Sequence, residues 1–159
     1  MIPYSKQSVT KTDINYVIKS LKSDLITQGK KIIEFEDKLS KYTKSKYSIV
    51  SNSGTSSLHS ACFALNIKKN DIVWTTPLSF VATSNCALYF GAEINFIDIE
   101  KNTGLIDLKL LEKKLKNSKK DKLPKLIIVV HYAGQSCDMK SIYKLKKKYH
   151  FSVIEDASH

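Results

Sequence analysis

The stretch LIIVVHYAGQSCDMKSIYKLKKKYHFSVIEDASH, residues 126–159, decides the fold. It opens on a continuous apolar run, residues 126–131, with no polar alternation. Such a run fits a strand covered on both faces. Met139, Ile142, Leu145 and Tyr149 then recur at helical spacing. Residues 151–155 read as the next strand. Strand, helix and strand in this order make one crossover unit of a parallel sheet.

The same alternation runs back to the N-terminus. Thr10 and Asp13 have the spacing of a capping box, and Ile14, Val17, Ile18 and Leu21 continue it as a helix. Ile32, Phe35, Leu39 and Tyr42 mark a second helix. A short strand is predicted over residues 47–51, a helix over 55–65 and a strand over 71–76. A helix over 80–90 and a strand over 93–98 follow, and Leu108, Leu111 and Leu115 mark one more helix. Five strands separated by helices give an α/β fold with a mostly parallel sheet and flanking helices. Ligands of such sheets bind beyond the carboxyl ends of the strands.

Composition bounds the class. The chain has 159 residues, 42% hydrophobic and 26% charged, which excludes a disordered or collagen-like polymer. No apolar run approaches the ~18 residues of a membrane helix, and residues 1–11 lack the apolar core of a secretory signal. Cys62, Cys86 and Cys137 form no CxxC pair, which fits a reducing, cytoplasmic setting. Cys62 shares a helical face with Leu58 and Leu65 and is expected in the core. His131, Cys137 and Asp138 match no common zinc spacing, so no metal site is expected. The net charge of +11 is concentrated in residues 101–150, which hold 14 Lys against 4 acids. All 26 basic residues are Lys. Without Arg, the usual bidentate reader of bases and phosphates, the pattern reads as a solvated surface rather than a nucleic-acid interface.

The chemistry is expected at the strand ends. Residues 51–57, SNSGTSS, pass directly into a helix. Gly54 lets the backbone approach a ligand, the helix N-terminus offers free amides, and Ser53, Thr55, Ser56 and Ser57 add hydroxyls. This is a phosphate cup that is neither a Walker loop nor GxGxxG, and an N-cap cluster without a ligand explains it equally well. Phe80 follows the next strand and reads either as core or as a platform for a flat ring. Asp156 emerges from an apolar strand without a neighbouring cation in sequence. A buried carboxylate needs a partner, and a protonated pyridine nitrogen is one; an Asp that caps the next turn accounts for it equally well. Phosphate at Gly54 and Thr55, a ring on Phe80 and a charged ring nitrogen at Asp156 together describe pyridoxal 5′-phosphate (PLP).

With these residues in view, the chain resembles the DegT-type sugar-nucleotide aminotransferases, within the fold-type I PLP enzymes. The resemblance rests on IPYS at 2–5, LITQG at 25–29 leading to Phe35 and Glu36, NSGTSSLH at 52–59, and TPLSFVATSNC at 76–86 with Gly91 and Ala92. AGQ at 133–135, Asp138 and Met139, and EDASH at 155–159 complete it. It implies the cofactor PLP, bound by Gly54, Thr55, Phe80, Asp156 and His159, with His159 near the ring hydroxyl. Tyr4, Asp24, Leu25, Ile26 and Thr27 would line the sugar-nucleotide site, although Leu25 replaces the aromatic many relatives carry. The reaction implied is transfer of an amino group from L-glutamate to C4 of a UDP-linked 4-keto-6-deoxy-N-acetyl hexose, in a homodimer. Residues 1–30 would form an N-terminal helix and substrate-lining segment, and 31–159 part of the cofactor-binding large domain.

The family's Schiff-base lysine lies beyond the Glu-Asp-Ala motif and has no counterpart here. The sequence reading therefore expects an N-terminal part of a longer enzyme that binds the cofactor weakly and does not turn over. A sugar aminotransferase of other regiochemistry, or a dehydratase of the same family, shares every motif. A non-catalytic, lysine-rich α/β module that binds nucleotide is the rival from another class.

Overall fold

The computed structural model describes residues 6–159. Two compact units divide it, the first ending at Val50 and the second spanning Ser51–His159. The expected segment boundary after residue 30 concerns substrate lining, whereas compactness places the division after Val50.

In the first unit, α1 (Lys11–Leu21) starts at Thr10, whose hydroxyl accepts from the Asp13 amide while the Asp13 carboxylate accepts from the Thr10 amide. That is the capping box expected from sequence. Helix α2 (Lys30–Thr43) begins at Gly29. A Cβ there would stand 2.6 Å from the Leu25 carbonyl oxygen, so the turn before α2 closes only around glycine. Neither helix buries a residue.

The expected strand at 47–51 does not form; these residues pair with no strand. Tyr47 and Ile49 are 75% and 86% exposed, and the Val50 amide donates to Glu36 Oε1 at 2.9 Å instead of to a neighbouring strand. A strand exists only through its partner, and β-propensity alone does not supply one.

The second unit is a fully parallel four-stranded sheet in the order β2-β1-β3-β4. Its strands are β1 (Ile72–Thr75), β2 (Glu93–Phe96), β3 (Leu126–Val130) and β4 (Ser152–Asp156). All five residues of β3 are buried, as its unalternated sequence requires of a central strand. Successive strand residues face opposite sides. Val73, Leu126 and Ile128 pack with Leu58, Cys62, Cys86 and Ala87 of helices α3 (Gly54–Ala64) and α4 (Ala82–Leu88). Trp74, Ile127 and Val129 pack with Leu111, Leu115, Ile142 and Leu145 of α5 (Leu108–Asn117) and α6 (Met139–Tyr149). Cys62 is core, as expected, with its Sγ 3.6 Å from that of Cys86.

Strand order locates the site. The chain moves from β1 outward to β2, then returns across β1 to β3. The connections leaving β1 and β3 therefore enter helices on opposite faces, α4 and α6. Their divergence opens a crevice at the carboxyl ends of β1, β3 and β4.

Candidate active site

That crevice is a cavity of about 560 Å³. Gly54 and Thr55 reach it from the start of α3, Phe80 from the β1–α4 connection, Thr83 from the first turn of α4, and His131 and Tyr132 from the end of β3. Asp156, Ser158 and His159 enter from β4. All five expected cofactor-binding residues of the second unit, Gly54, Thr55, Phe80, Asp156 and His159, thus line one cavity.

Asp156 is the last residue of β4 and is 7% exposed. The alternation of the strand turns it towards the α3–α4 side, the side that Ile154 also packs on. Its carboxylate is well supplied with donors. Thr83 Oγ1 donates to Oδ2 at 2.7 Å, and Ser158 donates to Oδ1 from its hydroxyl at 2.6 Å and its amide at 3.3 Å. Thr83 has a single hydroxyl proton and gives it to the carboxylate, so Ser79 Oγ, 2.6 Å from Thr83 Oγ1, is the donor in that pair. The result is a directed chain from Ser79 through Thr83 to Asp156. The apolar strand predicts a bound cation or a turn cap as the partner of this carboxylate; the protein itself provides neutral donors, the Ser158 amide of the following turn among them. Thr83 and Ser158 lie inside quoted motifs, but no role attached to them from sequence. The one local signal was the four-residue spacing of the hydroxyls at Ser79 and Thr83 before and within a helix.

At the start of α3, Ser53 caps the helix by accepting from the Ser56 amide. The first amides of a helix have no intrahelical partner and carry its positive end. Of the hydroxyls expected as phosphate donors, three are engaged within the segment. Ser53 pairs with Ser56, Ser56 donates to Asn52 Oδ1, and Ser57 pairs with Ser51. Thr55 alone of the four lines the cavity. A Cβ placed on Gly54 would meet only Ser158 Oγ, at 3.4 Å, an ordinary contact. No neighbouring protein atom demands a glycine there, and the missing side chain leaves its space to the cavity.

Phe80 precedes α4 rather than starting it and is 75% exposed. It lines the cavity instead of the core, which separates the two readings its sequence left open. His159 Nδ1 accepts from the Ala133 amide at 3.2 Å. These residues fit PLP: helix amides for a phosphate, an exposed aromatic face for a ring, and a buried carboxylate for a ring nitrogen.

The expected sugar-nucleotide residues belong to the first unit. Asp24, Leu25 and Ile26 line a hollow of about 470 Å³ together with Gly29 and Lys30, and Thr27 does not line it. Tyr4 lies outside the described residues.

The fold and this arrangement define an aminotransferase scaffold, and the comparisons agree. The sequence profile of the DegT/DnrJ/EryC1/StrS aminotransferase family matches residues 7–159, and the chain belongs to that family. It is similar to the UDP-4-amino-4,6-dideoxy-N-acetyl-beta-L-altrosamine transaminase of Campylobacter jejuni subsp. jejuni serotype O:23/36 (strain 81-176). The two are 48% identical over 159 residues, which is 100% of this chain and 41% of that protein. The Helicobacter pylori (strain ATCC 700392 / 26695) protein of the same name is 38% identical over 98% of this chain and 40% of its own. Among solved structures, a Helicobacter pylori aminotransferase involved in the biosynthesis of pseudoaminic acid superposes with a TM-score of 0.87. It is 36% identical, covering 99% of this chain and 41% of that one. A putative sugar aminotransferase of Streptococcus pneumoniae, in its PLP form, gives 0.85 at 30% identity, over 99% of this chain and 38% of that one. The chain spans about 40% of the length of the curated relatives it matches.

Proposed function

We propose that this chain supplies the cofactor cradle of a PLP-dependent sugar-nucleotide aminotransferase. One observation carries the reading: a buried carboxylate, Asp156, shares a cavity with an exposed aromatic ring, Phe80, and with the N-terminus of α3. Gly54 and Thr55 take the phosphate at the positive end of the helix. Phe80 covers one face of the ring. Asp156 holds a proton on the pyridine nitrogen, and Thr83 and Ser158 hold Asp156 in place. His159 meets the ring hydroxyl. PLP, when bound, supplies an electron-withdrawing ring that eases proton removal from the amino-bearing carbon.

The substrates in this reading are L-glutamate as donor and a UDP-linked 4-keto-6-deoxy-N-acetyl hexose aminated at C4. The names of the Campylobacter and Helicobacter relatives support the sugar-nucleotide part of that choice. Tyr4 and residues 24–27 serve the sugar nucleotide, and the working unit is a cytoplasmic homodimer. Among the described residues no lysine lines the cavity. The cradle therefore holds and orients, while the amine that carries the cofactor and moves its proton comes from elsewhere, and these 159 residues alone do not turn over.

Calorimetric titration with pyridoxamine phosphate (PMP) tests the reading, because its amine does not condense with surface lysines as an aldehyde would. Saturable binding is expected, weakened roughly ten- to hundredfold by Asp156→Ala, the worth of a charge-assisted hydrogen bond. Absent PMP binding, together with steeply salt-dependent binding of random-sequence DNA, would overturn it in favour of a basic binding module.

A further inference from the structure

We propose that His131 is a positioning residue of the cofactor site, a clamp that fixes the proton of the His159 ring through the backbone of residues 131–137. The bearing of His159 on the cofactor rests on the proposed function; the clamp itself rests on geometry within this chain.

His131 continues β3 by one residue, and its amide donates to the Asp156 carbonyl at 3.0 Å. Strand alternation puts its ring on the face opposite Asp156, where it is enclosed; its side chain is 11% exposed. There Nδ1 accepts from the Cys137 amide at 3.1 Å, and Nε2 lies 3.0 Å from Glu155 Oε2. A ring nitrogen that accepts an amide proton cannot carry one of its own. The proton of His131 therefore sits on Nε2 and is donated to Glu155. The other Glu155 oxygen accepts from the Tyr143 hydroxyl at 2.9 Å, which anchors the carboxylate to α6. His131 thus ties the far end of its loop, Cys137, to both β4 and α6.

The near part of that loop needs tying. Ala133 sits at φ 52°, ψ 28°, and Gly134 at φ 81°. The left-handed region suits glycine and disfavours a residue with a Cβ. Held there, Ala133 directs its amide to His159 Nδ1. By the same rule as for His131, the proton of His159 then sits on Nε2. Two amides of one loop, Ala133 and Cys137, assign the same tautomer to two histidines. His159 presents a donor rather than an acceptor through Nε2, the polarity that an ionised ring hydroxyl requires. Without the clamp, the Ala133 amide loses its fixed direction and His159 is free to exchange tautomers.

Long-range proton–nitrogen NMR of the histidine rings tests this on the chain without cofactor. In the wild type both His131 and His159 should show the Nε2-protonated pattern. In His131→Leu, which keeps bulk but no nitrogen, hydrogen exchange at the Ala133 and Cys137 amides should rise at least about tenfold, with β3 core amides unchanged. His159 should become a tautomer mixture in that variant. His131→Asn, whose side-chain oxygen can replace Nδ1, should restore protection at Cys137, a rescue that simple packing would not give. A proton on His131 Nδ1, readable in the wild type alone, would overturn the proposal, as would a His159 pattern unmoved by His131→Leu. Failure of PMP to bind with these tautomers in place would count against the cofactor reading and leave the clamp standing.

Discussion

Asp156 is buried and held in one direction, and the two features have different sources. Burial comes from the strand, and direction comes from Thr83 and Ser158. Thr83 is the more telling of the two, since it is itself 1% exposed and its hydroxyl has no access to bulk water. Thr83→Val keeps the shape and removes the donor. We expect it to destabilise the second unit by about 1.5–3 kcal/mol in urea unfolding, the range for hydrogen bonds to charged groups. A change of a few tenths would mean that Ser158 alone holds the carboxylate. Asp156 was legible in the sequence because a carboxylate at the end of an apolar strand is locally anomalous. Thr83 was not, because its partner is 73 residues away and nothing near it in sequence is unusual.

Helices were legible because their signals are local. The cap at Thr10 and the apolar spacing in α5 and α6 all lie within a few residues of what they control. In the structure Asp138 caps α6, a role its sequence position did not announce. It accepts from the Ser141 hydroxyl at 2.6 Å and from the Ser141 amide at 3.1 Å, which together hold its carboxyl below the ordinary value of 3.8. A carboxyl depressed in the folded state adds stability above its unfolded value and loses it as pH falls through its folded value. Acidification below about pH 4 should therefore weaken the start of α6. Asp138→Asn should flatten that acid limb while leaving neutral-pH stability nearly unchanged, since Asn also caps. Thermal unfolding at pH 6 and pH 2.5 separates the cases, and equal acid losses in both proteins would rule out this cap as the source. The element that sequence reading placed wrongly, the strand at 47–51, shows the other side. Its residues have strand propensity, but pairing is non-local, and the amide of Val50 is taken by Glu36.

At the scale of the whole molecule, motif order survived where element detail did not. The phosphate segment precedes β1, the aromatic segment follows it and the carboxylate ends β4, and the fold gathers all three at one cavity. Reading strands and helices gave a parallel sheet, but not the order β2-β1-β3-β4 that opens the crevice between β1 and β3. That order depends on contacts between segments some fifty residues apart, such as the Thr75 hydroxyl on the Ile128 carbonyl. Most of the lysines in residues 101–150 lie on helices. Lys113, Lys116, Lys146, Lys147 and Lys148 lie on α5 and α6, away from the cavity lining. This separation makes the central claim directly measurable. Amide chemical-shift mapping of the chain during titration with PMP should give its largest changes at Gly54, Thr55, Phe80, Thr83, Ser158 and His159, saturating together. Changes scattered over the α5 and α6 lysines, or none at Gly54 and Thr55, would contradict the assignment of this cavity as the cofactor cradle.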